Sequence, residues 1–184
     1  MARAWAAGGR QAGARDTLAD PRPLAGPILK GLRRYYQGLA AAVAGDADAA
    51  IELWQQGLDV GQAPAHLREN LAVLVFQKLA SLERAGDLAE AAALALRSAS
   101  LPSSAAFDEL RLLTLDRGAR AAAEAGDWAR AAELWEAARQ VLAASAKLGS
   151  PRPLLHNLAL AYERQERWED AAEAWRAMLR TRPR

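Results

Sequence analysis

The chain has 184 residues, of which 52% are hydrophobic and 25% charged, with no cysteine and a formal net charge of +2. A charge this small gives no electrostatic reason to expect nucleic acid or an anionic membrane as the partner, and the lack of cysteine excludes a disulfide framework. No stretch approaches the roughly 20 apolar residues that a transmembrane helix needs. The length is sufficient for one domain or for a short array of repeats with a sizeable core.

Residues 1–23 form the first segment and have no sustained apolar period. Glycine and proline recur within them, as at Gly8 and Pro21, so we predict a flexible leader in which Trp5 could act as an anchor. Because the segment has no continuous apolar core, it does not resemble a secretory signal. We therefore expect a cytoplasmic protein.

From residue 24 the chain is rich in alanine and leucine, which favour helices, and one motif recurs along it. Trp168–Trp175 has the sequence WEDAAEAW, and Trp128–Trp135 has the sequence WARAAELW. The same motif ends at Trp54 and, with alanine in place of tryptophan, at Ala95, so that the successive spacings are 41, 40 and 40 residues. A fixed period of this length predicts stacked helical repeats.

Each repeat is predicted to be two helices joined by a tight turn. Gly45-Asp46, Gly86-Asp87 and Gly126-Asp127 supply a glycine that tolerates the left-handed conformation and an aspartate that caps the next helix. In the fourth repeat Glu166-Arg167 takes this place. We expect that turn to be the least regular, because a left-handed glutamate costs on the order of 1 kcal/mol.

Helix-breaking residues at Gly61, Pro102 and Gly149 separate the repeats. We therefore predict one helical-repeat domain over residues 24–184, with repeats at about 24–62, 63–103, 104–150 and 151–184. The predicted helices include 25–44 and 46–58 in the first repeat, and long first helices at 65–85 and 104–125 in the next two.

This pattern resembles the tetratricopeptide repeat (TPR), a helix–turn–helix unit usually of about 34 residues. The resemblance is best in 152–184 and looser, with a period of about 40 residues, from residue 31 onwards. In the fourth repeat the matching positions hold Leu155, Leu158, Ala159, Tyr162, Ala171, Trp175 and Pro183. The resemblance implies an all-α protein, a right-handed α-solenoid of four TPR-like helix–turn–helix repeats.

The same resemblance implies a non-enzymatic scaffold that binds a protein or peptide along the concave face, which the first helices line. Tyr35, Leu39 and Phe76 would supply an apolar anchor. Polar specificity would come from Asp116, Arg117, Arg120, His156, Asn157 and Glu163. An alternative is that Tyr35 and Phe76 simply pack beneath the helices or the leader.

Enzyme chemistry has little support in the sequence. The two histidines, His66 and His156, are far apart and neither begins a metal-ligand spacing. No glycine-rich phosphate loop lies in a strand–turn–helix setting. We expect no catalytic, cofactor or metal site, no small-molecule substrate and no membrane partner.

Single-stranded nucleic acid is a less favoured alternative partner, because it would need a basic stripe along the groove. Arginines are instead interleaved with acidic residues, as in 163–167.

The last predicted helix carries Trp175, Met178 and Leu179 near the end of the sequence. Helical arrays usually finish with a polar capping helix, and none follows these residues in the sequence. We expect this face to be partly bare, so that a homodimer or a further part of a longer chain would cover it.

Overall fold

The computed structural model describes residues 27–60, 64, 66–145 and 148–181. These residues form eight α-helices and no strand, as the sequence predicts. The helices are α1 (Pro27–Val43), α2 (Ala47–Asp59), α3 (Leu67–Ala85), α4 (Leu88–Arg97), α5 (Ala105–Glu124), α6 (Trp128–Ala144), α7 (Arg152–Arg164) and α8 (Trp168–Arg180). The predicted leader with Trp5, and Pro183, lie outside the described residues.

The ends of the helices agree closely with the sequence pattern. The four helices predicted at 25–44, 46–58, 65–85 and 104–125 begin and end within two residues of α1, α2, α3 and α5. Within the described part of the chain, no helix has the length and apolar character that crossing a bilayer requires.

The chain divides into two compact units, Met1–Val75 and Phe76–Arg184, and the division falls inside α3. In the first unit α1 packs on α2. In the second unit α4 packs on α5, α5 on α6, α6 on α7, and α7 on α8. Packing of each helix on the next is typical of a helical-repeat array, so the fold is of the α-solenoid type. The right-handed sense of the array and its organisation as one domain over 24–184 stay predictions.

The turns inside the helix pairs share one backbone conformation. Gly45, Gly86 and Gly126 have φ angles of 81°, 78° and 81°, and Glu166 has a φ of 59°. In all four turns the next residue donates its N–H to the carbonyl five positions earlier, as Arg167 does to Tyr162 at 2.9 Å. The expected irregularity of the fourth turn was therefore wrong as far as the backbone is concerned.

What distinguishes the fourth turn is its helix cap. The side chains of Asp46, Asp87 and Asp127 accept hydrogen bonds from N–H groups in the first turns of α2, α4 and α6. Arg167 makes no such bond at the start of α8. The Arg167 guanidinium instead bonds to the Asp170 carboxylate at 2.8 Å, so the fourth pair lacks one stabilising contact that the others have.

Small residues allow the helices to approach closely. Ala50, Ala91 and Ala131 are fully buried, and Ala171 is 3% exposed. Each lies four residues before the end of the repeated motif, at Trp54, Ala95, Trp135 or Trp175. Gly38 serves the same purpose on α1, because a Cβ atom there would lie 2.3 Å from the Trp54 indole nitrogen. The indole ring thus lies directly against the α1 backbone.

Candidate partner-binding face

Exposed apolar side chains recur on the first helices of the pairs. They are Leu32, Val43 and Val73 in the first unit, and Leu113 and Leu160 in the second. Leu32, Val73 and Leu113 each precede a predicted site residue (Tyr35, Phe76 or Asp116) by three positions, and helix residues three apart are surface neighbours. They were not among the predicted site residues, although this spacing identifies them in the sequence. They place apolar surface beside the predicted site residues.

In the first unit, Tyr35 is half-buried and lies at the junction of three helices. Its ring stacks on Trp54 at 6.3 Å and meets the His66 ring at 6.3 Å. Its hydroxyl accepts a hydrogen bond from the Asn70 side-chain amide at 3.3 Å. Leu39, one turn further along α1, is also half-buried. Tyr35 therefore holds α1, α2 and the start of α3 together as well as presenting part of its ring to solvent.

The three tryptophans that end the repeated motif each donate their indole N–H to the first helix of their own pair. Trp54 donates to the Tyr35 carbonyl at 2.9 Å, Trp135 to Asp116 Oδ1 at 2.9 Å, and Trp175 to Glu163 Oε1 at 2.8 Å. A buried indole N–H needs such a partner. Asp116 and Glu163, predicted to contact a ligand, are therefore also structural acceptors.

The predicted arginines of α5 are exposed and ion-paired. Arg117 bonds to Glu83 at 2.7 Å, and Arg120 bonds to Asp116 at 2.9 Å. Arginine has five N–H donors, so each retains donors for a ligand. Because both cations have acidic neighbours, the α5 surface is charged but locally balanced.

The remaining predicted site residues differ in how far they are exposed to solvent. His156 is exposed, and its ring lies edge-on to Trp175 at 5.1 Å. Asn157 is half-buried on α7. Phe76 is half-buried and packs edge-on against Phe107 at 5.9 Å. The alternative in which Tyr35 and Phe76 act as packing residues is thus at least partly supported, since both rings make intramolecular contacts.

The fourth pair contains a tyrosine with a perturbed hydroxyl. Tyr162 is buried, and its hydroxyl donates to Glu136 Oε1 at 2.5 Å. The Arg167 guanidinium lies 4.4 Å above its ring. Burial, followed by the hydrogen bond to Glu136, raises the pKa of Tyr162 well above its ordinary value. The group is neutral at physiological pH and acts as a structural donor.

An apolar stripe runs along α8. Trp168 and Leu179 are 64% and 72% exposed, and Trp175, which lies between them on the same side of the helix, is half-buried. Met178 is also half-buried. Residues 168, 175 and 179 share a face because seven and eleven residues are close to whole numbers of helical turns. Trp168 extends the face that the sequence assigned to Trp175, Met178 and Leu179.

Within the ranges that the structure describes, no group of three or more histidines, aspartates or glutamates is arranged to hold an ion.

Comparisons with known proteins gave structural matches only. No protein-family model matches the chain, and no curated protein matches it. The apo form of RapI matches at 12% identity and a TM-score of 0.38, over 92% of this chain and 46% of RapI. BtubC (BKLC) from P. vanneervenii matches at 20% identity and a TM-score of 0.36, over 97% of this chain and 75% of BtubC.

A third match is the set of nearly identical TPR-like repeats of a putative kinesin light chain from Podosopora anserina, at 20% identity and a TM-score of 0.30, over 97% of this chain and 91% of that one. The chain spans about half the length of RapI. The order of the described helices and the turn inside each pair define the fold of this part of the chain: it is an all-α array of helix–turn–helix repeats, as the resemblance to TPR repeats implies.

Proposed function

We propose that the chain is a non-enzymatic protein-interaction module whose first helices bind a peptide or a helix of a partner protein. The observation that carries this proposal is the exposure of apolar side chains at the groove positions of the first helices. In the second unit these are Leu113, 50% exposed, and Leu160, 38% exposed. An isolated exposed leucine needs no explanation, but Leu32, Val73 and Leu113 are exposed at equivalent repeat positions, 41 and 40 residues apart. Leu160 is a further exposed apolar residue on α7.

The chemistry around these leucines suits a protein ligand. Arg117, Arg120 and His156 present polar groups beside them, which gives an apolar centre with a polar rim, as protein interfaces commonly have. Peptide recognition by such surfaces uses apolar anchors for affinity and polar neighbours for orientation. The ion pairs of Arg117 and Arg120 leave little net positive charge, which favours a protein over single-stranded nucleic acid.

The test is selection of a random twelve-residue peptide library displayed on phage, followed by affinity measurement with synthetic peptides. Peptides that are enriched on the wild type are expected to bind Leu113→Glu at least tenfold more weakly, because the substitution puts a charge at the apolar centre. Val60→Glu is the control, since it places the same charge on an exposed apolar residue that lies outside the first helices and outside α8. Peptides that bind both variants as well as the wild type would refute a binding face on the first helices.

The apolar stripe of α8 favours a second candidate function, self-association. Trp168 and Leu179 are more exposed than the other large hydrophobic side chains of the described residues, and burying them would release about 25 cal/mol for each square ångström of apolar surface. Light scattering of the wild type at high concentration is expected to give a dimer mass that Leu179→Glu reduces to a monomer mass. A wild type that stays monomeric would rule this function out.

A further inference from the structure

A cavity of about 320 Å³ lies between α4, α5 and α6, on residues that the proposed binding face does not use. It exists because neighbouring helices differ in length: α4 has 10 residues and ends at Arg97, whereas α6 has 17. The second half of α6 therefore extends past the end of α4. The cavity is lined by apolar residues, with Leu101, Leu115 and Val141 among them, and also by polar groups, which include the neutral Ser103 and Gln140.

Arg111 lines this cavity and is poorly satisfied. The residue is 5% exposed, and its Nε has no hydrogen-bond partner among the described residues. Its guanidinium NH1 lies 3.8 Å from Asp108 Oδ1, which is an ion pair too long for a hydrogen bond. The guanidinium also lies 5.5 Å from the centre of the Phe107 ring. A buried arginine with so few partners is rare, because charge burial is costly unless it is paired and hydrogen-bonded.

The direction of the pKa shift of Arg111 agrees with a buried guanidinium that has few partners. Burial lowers the pKa of the Arg111 guanidinium, and the nearby Asp108 carboxylate opposes that shift. The cation is retained, since arginine stays protonated in proteins, and its desolvation is compensated only in part. An anionic ligand entering the cavity would supply the missing compensation.

We propose that this cavity binds a carboxylate attached to a short apolar chain, with the Arg111 guanidinium as the binding group. The planar fork of N–H donors matches a carboxylate in geometry. Asp108, the one acidic residue in the cavity wall, repels anions, so a singly charged carboxylate is preferred to a doubly charged phosphate. The apolar walls receive the hydrocarbon part of the ligand.

The carboxylate could belong to a small organic acid or to the C-terminus of a peptide. A second cavity of about 570 Å³ shares Leu96, Ala99, Ala137 and Gln140 with the first. A chain attached to the carboxylate therefore has room to continue between α4 and α6. The two sources are distinguished by comparing a short fatty acid with a tetrapeptide acid.

The experiment is calorimetric and NMR titration of the full chain with four probes: hexanoate, hexanamide, the peptide acetyl-Ala-Ala-Val-Leu as its free acid, and the same peptide as its amide. The acids are expected to bind and the amides to bind at least tenfold more weakly. Tighter binding of the peptide acid than of hexanoate assigns the site to a chain terminus, and the reverse assigns it to a small acid. Equal behaviour of acids and amides overturns the proposal without any variant being needed.

Substitutions at Arg111 and Asp108 test whether these residues determine the binding of the acids. Arg111→Met is expected to abolish acid binding while the chain stays folded, because replacing a poorly compensated buried charge by an apolar side chain is often neutral or stabilising. Arg97→Met, on the exposed last residue of α4, is the matched control and should bind like the wild type. Asp108→Asn is expected to tighten acid binding severalfold, since it removes the repelling charge. Unchanged binding in Arg111→Met, or weaker binding in Asp108→Asn, contradicts the assignment.

A steric variant tests the cavity independently of charge. Ala137→Leu fills the wall that both cavities share and is expected to weaken acid binding at least tenfold. Ala143→Leu makes the same change at an exposed position of the same helix and should have no effect. Equal binding by the two variants would place the acids elsewhere on the protein.

Discussion

The third helix pair (α5–α6) and the fourth (α7–α8) close with the same turn built from different residues. In the third, Gly126 donates to the Ala123 carbonyl at 3.0 Å, and in the fourth Glu166 donates to the Glu163 carbonyl at 3.0 Å. One turn has glycine with a φ of 81°, and the other has glutamate with a φ of 59°. The comparison shows that the packing of the two helices determines the turn conformation. The residue at that position determines only what the conformation costs.

The same two pairs differ in how deeply they bury equivalent tryptophans. Trp135 is 4% exposed and bonds to Asp116, whereas Trp175 is half-buried and bonds to Glu163. The donor is identical and the acceptors are both carboxylates. The third pair lies between α4 and α7 in the second unit, and α6 packs on α7, so its tryptophan has more neighbours to pack against.

The largest expected effect comes from truncating these tryptophans. Trp135→Ala is expected to lower the free energy of unfolding by about 3–5 kcal/mol, because it leaves a large cavity and an orphaned acceptor. Trp175→Ala should cost about 2 kcal/mol, since a half-buried side chain loses less contact. Urea denaturation followed by circular dichroism measures both. Equal losses would mean that the two pairs do not differ in burial in solution.

A smaller effect is expected from Tyr162, a tyrosine that the fourth pair has and the third pair lacks. Tyr162→Phe is expected to cost about 1.5 kcal/mol at pH 8 through loss of the hydrogen bond to the charged Glu136. In the unfolded chain a tyrosine ionises near pH 10, whereas the pKa of folded Tyr162 is raised. The stability that the protonated hydroxyl confers is therefore complete below about pH 10 and is lost as the pH rises above it.

Denaturation midpoints of wild type and Tyr162→Phe at pH 8 and pH 11 test this pH dependence. The wild type should lose more stability than the variant over this interval, so the difference between the two proteins narrows. Tyr35 and Tyr36 are present in both proteins and serve as an internal control. A constant difference across the interval would show that Tyr162 does not keep its proton longer in the folded state.

The smallest effects should come from the turns themselves. Glu166→Gly is expected to add about 0.5 kcal/mol, because relief of the left-handed strain is partly offset by the freedom of glycine in the unfolded chain. Gly126→Ala should cost about 1 kcal/mol, and a Cβ there meets no atom within 4 Å, so backbone strain alone is measured. Thermal unfolding of the two variants is the test. Changes of the same sign would refute the idea that both turns have one conformation.

Local patterns were sufficient to predict the helices and the fold class. Glycine–aspartate steps and the recurring tryptophans carry their information within a few residues, so the ends of α1, α2, α3 and α5 could be placed closely. The buried alanines followed from the same alignment. Glu166 was the informative exception, because the propensity of a single residue was overridden by the packing of two helices.

The candidate site was less predictable because it depends on contacts between distant residues. Nothing in the sequence indicates that Asp116 would accept from Trp135 at 2.9 Å or that Phe76 would meet Phe107. Arg111 resembles any other arginine of a charged helix in the sequence. The cavity that Arg111 lines arises from the shortness of α4 relative to α6, a property of neighbouring helices rather than of the sequence around Arg111.

The tryptophan hydrogen bonds have a consequence for how such a chain can change in length. Each indole donor and its acceptor belong to one helix pair, and the acceptors are a backbone carbonyl, an aspartate and a glutamate. A gene segment that encodes one pair therefore carries both partners and can be duplicated or deleted without orphaning a buried N–H group. The chemistry of the acceptor is then free to diverge between copies, as the carbonyl, the aspartate and the glutamate of this chain illustrate.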